Sequence, residues 1–120
     1  MLIDIIAGAR PNFMKIAPII DAIKRKAAEG YNINYRLIHT GQHYDKNMSG
    51  DFFEQLGIPE PDANLGAGGG TQAEQTAAIM IGFEKELTAN PADLVLVVGD
   101  VTSSMACAIV AKKLNTKVFQ

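Results

Sequence analysis

The sequence predicts an α/β domain built on a mostly parallel, doubly wound sheet. Strand-like and helix-like stretches alternate along the chain, the strand-like runs are short, and glycine closes them. Leu2 to Ala7 is apolar except for Asp4 and ends at Gly8. Ile33 to Thr40 is β-rich and ends at Gly41. Leu94 to Val98 is uninterruptedly apolar and ends at Gly99, and Lys117 to Gln120 opens a further strand. Apolar runs of this length without strict alternation suit strands covered on both faces.

Helical patterns lie between these runs. Ile16, Ile19, Ile20, Ile23 and Ala27 recur on one helical face. Pro18 falls inside that pattern, where it removes a donor and is placed to kink the first turns. Gly30 stands where a C′ glycine belongs. Asn47 is a plausible N-cap for a short helix over about Met48 to Leu56. Thr71 with Glu74 reads as a capping box. It opens a helix that Pro91 stops near Asn90, with Ile79, Met80, Phe83 and Leu87 as its apolar face. Thr102 to Leu114 is Ala-rich and apolar on most sides, which predicts a buried helix, with Lys112 and Lys113 at the favourable end of its dipole. The stretch from Ile58 to Gly70 carries two prolines and a glycine cluster and reads as a surface loop. Cys107 reads as a small core residue, and the methionines read as packing groups.

Composition narrows the function classes. The chain has 120 residues, 48% hydrophobic and 20% charged, with a net charge of −2. That is a globular balance, and it carries no basic footprint for nucleic acid. The longest apolar run, Met105 to Ala111, is too short to cross a bilayer. The apolar N-terminus has no basic stretch ahead of it, so no signal peptide is expected. The lone Cys107 cannot form an internal disulfide, and this fits a reducing compartment, the cytoplasm. In a doubly wound sheet, ligands sit beyond the carboxyl ends of the strands. Such ends occur at Gly8, Gly41 and Gly99, whereas the one after Gln120 does not. The expectation is a fragment of a longer protein.

Those ends carry the candidate chemistry. Gly8-Ala9-Arg10-Pro11-Asn12-Phe13-Met14-Lys15 joins the first strand to the first helix. A helix N-terminus offers free N–H groups to an anion, Arg10 suits bidentate phosphate contact, and Lys15 is close enough to share the charge. The same segment also reads as an ordinary turn with surface cations. It is not a Walker A loop, because the Gly-Lys-Ser/Thr ending is missing. Gly99-Asp100-Val101-Thr102-Ser103-Ser104 offers Asp100 to the same crevice, with hydroxyls for phosphate or ribose. Asp100 or Thr102 serves equally as a helix N-cap. Thr40-Gly41-Gln42-His43-Tyr44-Asp45 offers Gln42 and His43 as hydrogen-bonding groups. His39, His43 and Asp45 do not form a metal set, and no metal or cofactor is expected. Leu65 to Gly70 matches a dinucleotide fingerprint only loosely.

In their order and spacing, Gly8-Ala9-Arg10-Pro11, Lys15-Ile16-Ala17-Pro18, Thr40-Gly41-Gln42-His43 and Gly99-Asp100 resemble the UDP-N-acetylglucosamine 2-epimerases. The resemblance extends over essentially the whole chain. It implies the first part of the N-terminal Rossmann-like domain of a GT-B arrangement, residues 1–120, with a second domain absent. It implies interconversion of UDP-GlcNAc and UDP-ManNAc by elimination and re-addition of UDP, with the 120-residue chain inactive alone. Arg10 and Lys15 would bind substrate, Asp100 would be an acid/base group, and Gln42 and His43 match a segment that contacts a second UDP-GlcNAc in some members. A homodimer is implied for the parent. Ala9 replaces a more usual Thr, Asn12 a Glu, and Val101 interrupts a Thr run. Gly69 and Gly70 stand where some members carry activator-binding Arg and Gln, which argues against allosteric activation. Rival readings are a hydrolysing 2-epimerase that releases ManNAc, a GT-B glycosyltransferase, and a non-catalytic nucleotide-binding module.

Overall fold

The computed structural model describes residues 1–8, 10–41, 62–67, 70–98 and 102–120, without the side chains of 10–13. The strands are β1 (Leu2–Ala7), β2 (Asn34–His39), β3 (Ala63–Asn64), β4 (Leu94–Leu96) and β5 (Lys117–Phe119). The helices are α1 (Arg10–Ala28), α2 (Gln72–Ala89) and α3 (Thr102–Lys113). The helix expected over Met48 to Leu56 lies outside the described residues.

Among the described residues, all strands run parallel in the order β3-β2-β1-β4-β5. The chain builds outward from β1 in one direction and then, from β4, in the other. That reversal beside β1 is the topological switch point of a doubly wound sheet. Helices cover both faces. Ile3, Ile5 and Ala7 of β1 pack with Ile16, Ile20 and Ile23 of α1. Ile6, Ile38, Val95 and Val97 pack on the opposite face with Ile79, Phe83 and Leu87 of α2 and Ala106, Cys107 and Val110 of α3. Alternate residues of β1 thus serve opposite layers, and for this reason the strand is apolar throughout.

The helix boundaries have local causes. Pro18 removes one intrahelical donor, yet α1 runs on past it to Ala28. Gly30, at φ +99°, takes the left-handed conformation that ends the helix. The capping box at α2 forms as expected. Glu74 N donates to Thr71 Oγ1 and Thr71 N donates to Glu74 Oε1, each at 3.1 Å.

Some expectations fail. Within the anticipated surface loop, residues 62–67 join the sheet. Asp62 N donates to Leu37 O at 2.8 Å, Leu65 N to His39 O at 2.8 Å and Ala67 N to Thr40 O at 2.8 Å, and Ala67 is buried. Asp62 Oδ2 also accepts from Leu37 N at 2.7 Å. A strand of two residues has no periodicity to detect. Nor is α3 buried all round. Ser103, Ser104, Ala106, Cys107, Val110 and Ala111 face inward, but Met105 is 52% exposed and Ile109 also reaches the surface. The helix packs on the sheet and on α2 from one side only. The methionines are correspondingly not all packing groups, since Met14 is 63% exposed and Met1 lies open as well.

Candidate functional site

The motif-bearing strand ends meet at the carboxyl edge of the sheet. Gly8 follows β1 directly and is buried. A Cβ added there would lie 2.6 Å from Ser103 Cβ and 2.9 Å from Thr40 Oγ1. The end of β2 and the first turn of α3 therefore close over the end of β1. Thr40 and Ser103 also touch each other, Oγ1 to Oγ at 3.1 Å. Thr40 N extends the β1–β2 ladder by donating to Ala7 O at 3.0 Å.

Gly41 makes the next turn at φ +85°. A Cβ there would stand 2.8 Å from Ala67 N and 2.9 Å from Gly66 Cα, so sterics and backbone both require glycine. Buried His39 fixes the same turn, its Nδ1 accepting from Gly41 N at 2.7 Å. A ring nitrogen that accepts an amide carries no proton, so Nε2 holds it and the imidazole is neutral.

Of the residues picked out for chemistry, Arg10 opens α1, and the N-terminus of that helix points to this edge. Lys15 is exposed in the second turn, about 7.5 Å further along the axis. Helical side chains tilt toward the N-terminus, so Lys15 leans back to the same edge. The Arg10 side chain and residues Gln42, His43 and Asp100 lie outside what is described. Thr102, two residues after Asp100, begins α3 at this edge. Two helix N-termini thus converge on one end of the sheet, a favourable environment for an anion.

Ser103 and Ser104 take a different role from the ligand-holding one. Both are buried, Ser103 Oγ meets Thr40, and Ser104 Oγ donates to Val98 O at 2.9 Å. Their hydroxyls serve the fold. Cys107 is buried in α3, and burial first, then the Asp4 charge, pushes its thiol far above the usual range.

Sequence reasoning missed a charged cluster at the opposite edge. Asp4 of β1 is 0% exposed and faces Arg36 of β2, its register partner. Arg36 Nε donates to Oδ1 at 3.1 Å and Nη2 to Oδ2 at 3.0 Å, while Nη1 reaches Glu86 Oε2 at 3.3 Å. Burial raises the Asp4 pKa, the Arg36 hydrogen bond and charge lower it, and Glu86 and Asp62 raise it again; the net shift is upward. The visible signal was a carboxylate inside an apolar strand. Such a group needs a cation, but its partner is 32 residues away.

A family model described as UDP-N-acetylglucosamine 2-epimerase matches residues 25–119. The chain belongs to the UDP-N-acetylglucosamine 2-epimerase family. It is 43% identical over 118 residues to the UDP-N-acetylglucosamine 2-epimerase of Methanocaldococcus jannaschii, covering 98% of this chain and 31% of the relative. It is 41% identical over 118 residues to the UDP-2,3-diacetamido-2,3-dideoxy-D-glucuronate 2-epimerase of Pseudomonas aeruginosa, covering 98% and 32%. Among solved structures, the M. jannaschii enzyme in complex with UDP-GlcNAc and UDP superposes with a TM-score of 0.89 at 43% identity, over 98% of this chain and 31% of that one. The chain spans about a third of the length of the family members it matches. The α/β architecture agrees with the expected N-terminal part of a GT-B-like enzyme. Among the described residues, no helix is long and apolar enough to cross a membrane.

Proposed function

We propose that this chain is the first part of the N-terminal domain of an enzyme that interconverts UDP-GlcNAc and UDP-ManNAc. The supporting observation is the meeting of Gly8, Thr40 and Ser103 at one point of the carboxyl edge. Gly8 and Thr40 are followed directly by the segments that carry Arg10 and Gln42-His43, and Ser103 directly follows the one that carries Asp100.

The C2 proton of the sugar is not adjacent to a carbonyl, so direct abstraction is difficult. In the proposed route, the C2 proton is removed and the C1–O bond to UDP breaks, leaving the C1=C2 double bond of 2-acetamidoglucal. UDP then returns to C1, and a proton is delivered to the opposite face of C2. Atoms balance without an outside oxidant or cofactor. The chemistry needs an acid/base group at C2 and cations at the departing diphosphate. We assign the first role to Asp100 and the second to Arg10 and Lys15, aided by the N-terminus of α1. Gln42 and His43 stand where some family members contact a second UDP-GlcNAc, but with Gly69 and Gly70 in place of the activator-binding Arg and Gln we assign no activation to them. The remaining groups would come from the rest of the enzyme, and the 120-residue chain alone should not turn over. We place the whole protein in the cytoplasm as a homodimer, for which light scattering is the check.

The test is the whole protein with UDP-GlcNAc in heavy water. UDP-ManNAc with deuterium at C2 is the expected product. Free ManNAc would identify the hydrolysing reaction, and sugar transfer without C2 exchange a glycosyltransferase. Arg10→Ala and Asp100→Asn should each lower kcat by about 10²-fold or more; near-wild-type rates in both would remove the assigned roles. A second substrate is supported by the nearly equal identity to the diacetamido-glucuronate epimerase. A higher kcat/KM on that UDP-sugar would favour it.

A further inference from the structure

We propose that the outer face of the α2–α3 helix pair docks a second copy of this chain across a two-fold axis. The inference deepens the homodimer reading and rests on it, because it names the surface through which the copies meet.

A helix that covers a sheet normally turns a polar side outward. Here the outer side carries Ile81 of α2, 57% exposed, and Met105 and Ile109 of α3, 52% and 38% exposed. Met105 and Ile109 stand one turn apart on the same face. Ile81 lies two residues from both Ile79 and Phe83, which are buried against the sheet, so it points the other way. Between the helices runs a groove of about 210 Å³, lined by Met80, Ile81, Glu84, Val110 and Lys113. Single exposed apolar residues need no explanation, whereas several gathered beside a groove mark a contact surface. Methionine, flexible and polarisable, adapts readily to such a contact.

The rest of the enzyme is not placed to cover this face. The proposed substrate cleft lies at the carboxyl edge, so groups that complete it stand beyond the strand ends. Further strands of a doubly wound sheet add at its lateral edge, with their helices in the same layer as α3. Ile81 and Ile109 lie near the middle of Gln72–Ala89 and Thr102–Lys113, away from the ends of both helices.

Charge selects the occupant. One bank of the groove offers Glu84 and the other Lys113. A surface of a single sign would match one bank and repel the other, but a second copy matches both. A two-fold axis along the groove lays the α2 bank of each copy on the α3 bank of the other. Glu84 then meets Lys113 twice across an isologous contact. An apolar centre with charges at its rim is the usual composition of a stable interface.

The test measures the dimer dissociation constant of the whole protein by analytical ultracentrifugation. Ile81→Glu should raise it about 10²-fold by placing a charge in the apolar centre. Far-UV circular dichroism should not change, because this side chain is exposed in the single chain. Glu84→Lys and Lys113→Glu should each raise the constant about tenfold, since each variant sets two like-charged pairs across the axis. An equimolar mixture of these two variants should associate nearly as tightly as the wild type, because every crossing then joins opposite charges. Mixing would not mend a pairing made within one chain. A dimer that tolerates Ile81→Glu, or a mixture that associates no better than its components, would overturn this surface and leave the homodimer reading standing. A wild-type protein that is monomeric at micromolar concentration would overturn both.

Discussion

Replacing Arg36 with Met should destabilise the fold by several times the cost of losing a surface ion pair, and the loss should shrink in acid. Arg36 grips both oxygens of a carboxylate that is 0% exposed, at 3.1 and 3.0 Å, and also holds Glu86 at 3.3 Å. Met retains much of the side chain's length while removing the cation. A buried carboxylate that loses its partner costs about 3–5 kcal/mol. The Arg36 side chain is 15% exposed, so some water reaches the pair and the low end applies, about 3 kcal/mol. For a domain of this size, that is a fall in Tm of about 10 °C. The pH dependence follows from Asp4. Burial raises its folded-state pKa despite the lowering by Arg36. The folded chain therefore holds this proton more tightly than the unfolded chain. The group favours folding below its ordinary value, and that contribution is lost as pH rises through the raised one. Without Arg36 the folded value rises further, so the deficit is largest at neutral pH and narrows toward about pH 4. Urea unfolding followed by far-UV circular dichroism at both pH values measures it, because the chain has no Trp to report. A loss below about 1 kcal/mol at neutral pH, or one that grows in acid, would refute the reasoning.

Gly8→Ala should cost about 1–3 kcal/mol from overpacking, measured by the same unfolding curves. Adding Ser103→Ala should not restore it, because the Ser103 Cβ would remain 2.6 Å from the new methyl. Thr71→Ala removes the acceptor of the Glu74 N–H and should cost about 1 kcal/mol, a modest Tm shift with the fold intact. Burial raises the Cys107 pKa, so the thiolate is scarce in the folded state and iodoacetamide should label the native chain far more slowly than the urea-unfolded chain at pH 8.

Much of the fold was legible because it is local. The runs Leu2–Ala7 and Leu94–Val98 announce two-faced burial in a few consecutive residues, and Thr71 and Glu74 form a pattern with a spacing of three residues. β3 was not legible, because two residues joined through backbone bonds leave no side-chain signature. The exposed side of α3 was missed because composition records how apolar a helix is, not how many of its sides find partners. At the candidate site, the glycines that close the strands were readable, but one of their reasons was not. Gly8 is glycine because Ser103 and Thr40 fill its side-chain space, a fact that depends on residues 32 and 95 positions away along the chain.

The two edges of the sheet are coupled through strand register. Asp4 pairs with Arg36, and the same register places His39 beside Ala7 and lets Thr40 N reach Ala7 O. A slip of one residue between β1 and β2 would turn Arg36 toward the α1 face and leave Asp4 buried without its cation. It would also carry the Thr40 hydroxyl to the wrong face, away from Ser103. The buried ion pair at the amino edge therefore penalises the pairing error that would dismantle the carboxyl edge. About 13 Å of strand separates Asp4 from Gly8, so the penalty acts without any charge of the pair intruding on the site. The Asp4–Arg36 pair thus favours the register on which the convergence of Gly8, Thr40 and Ser103 depends.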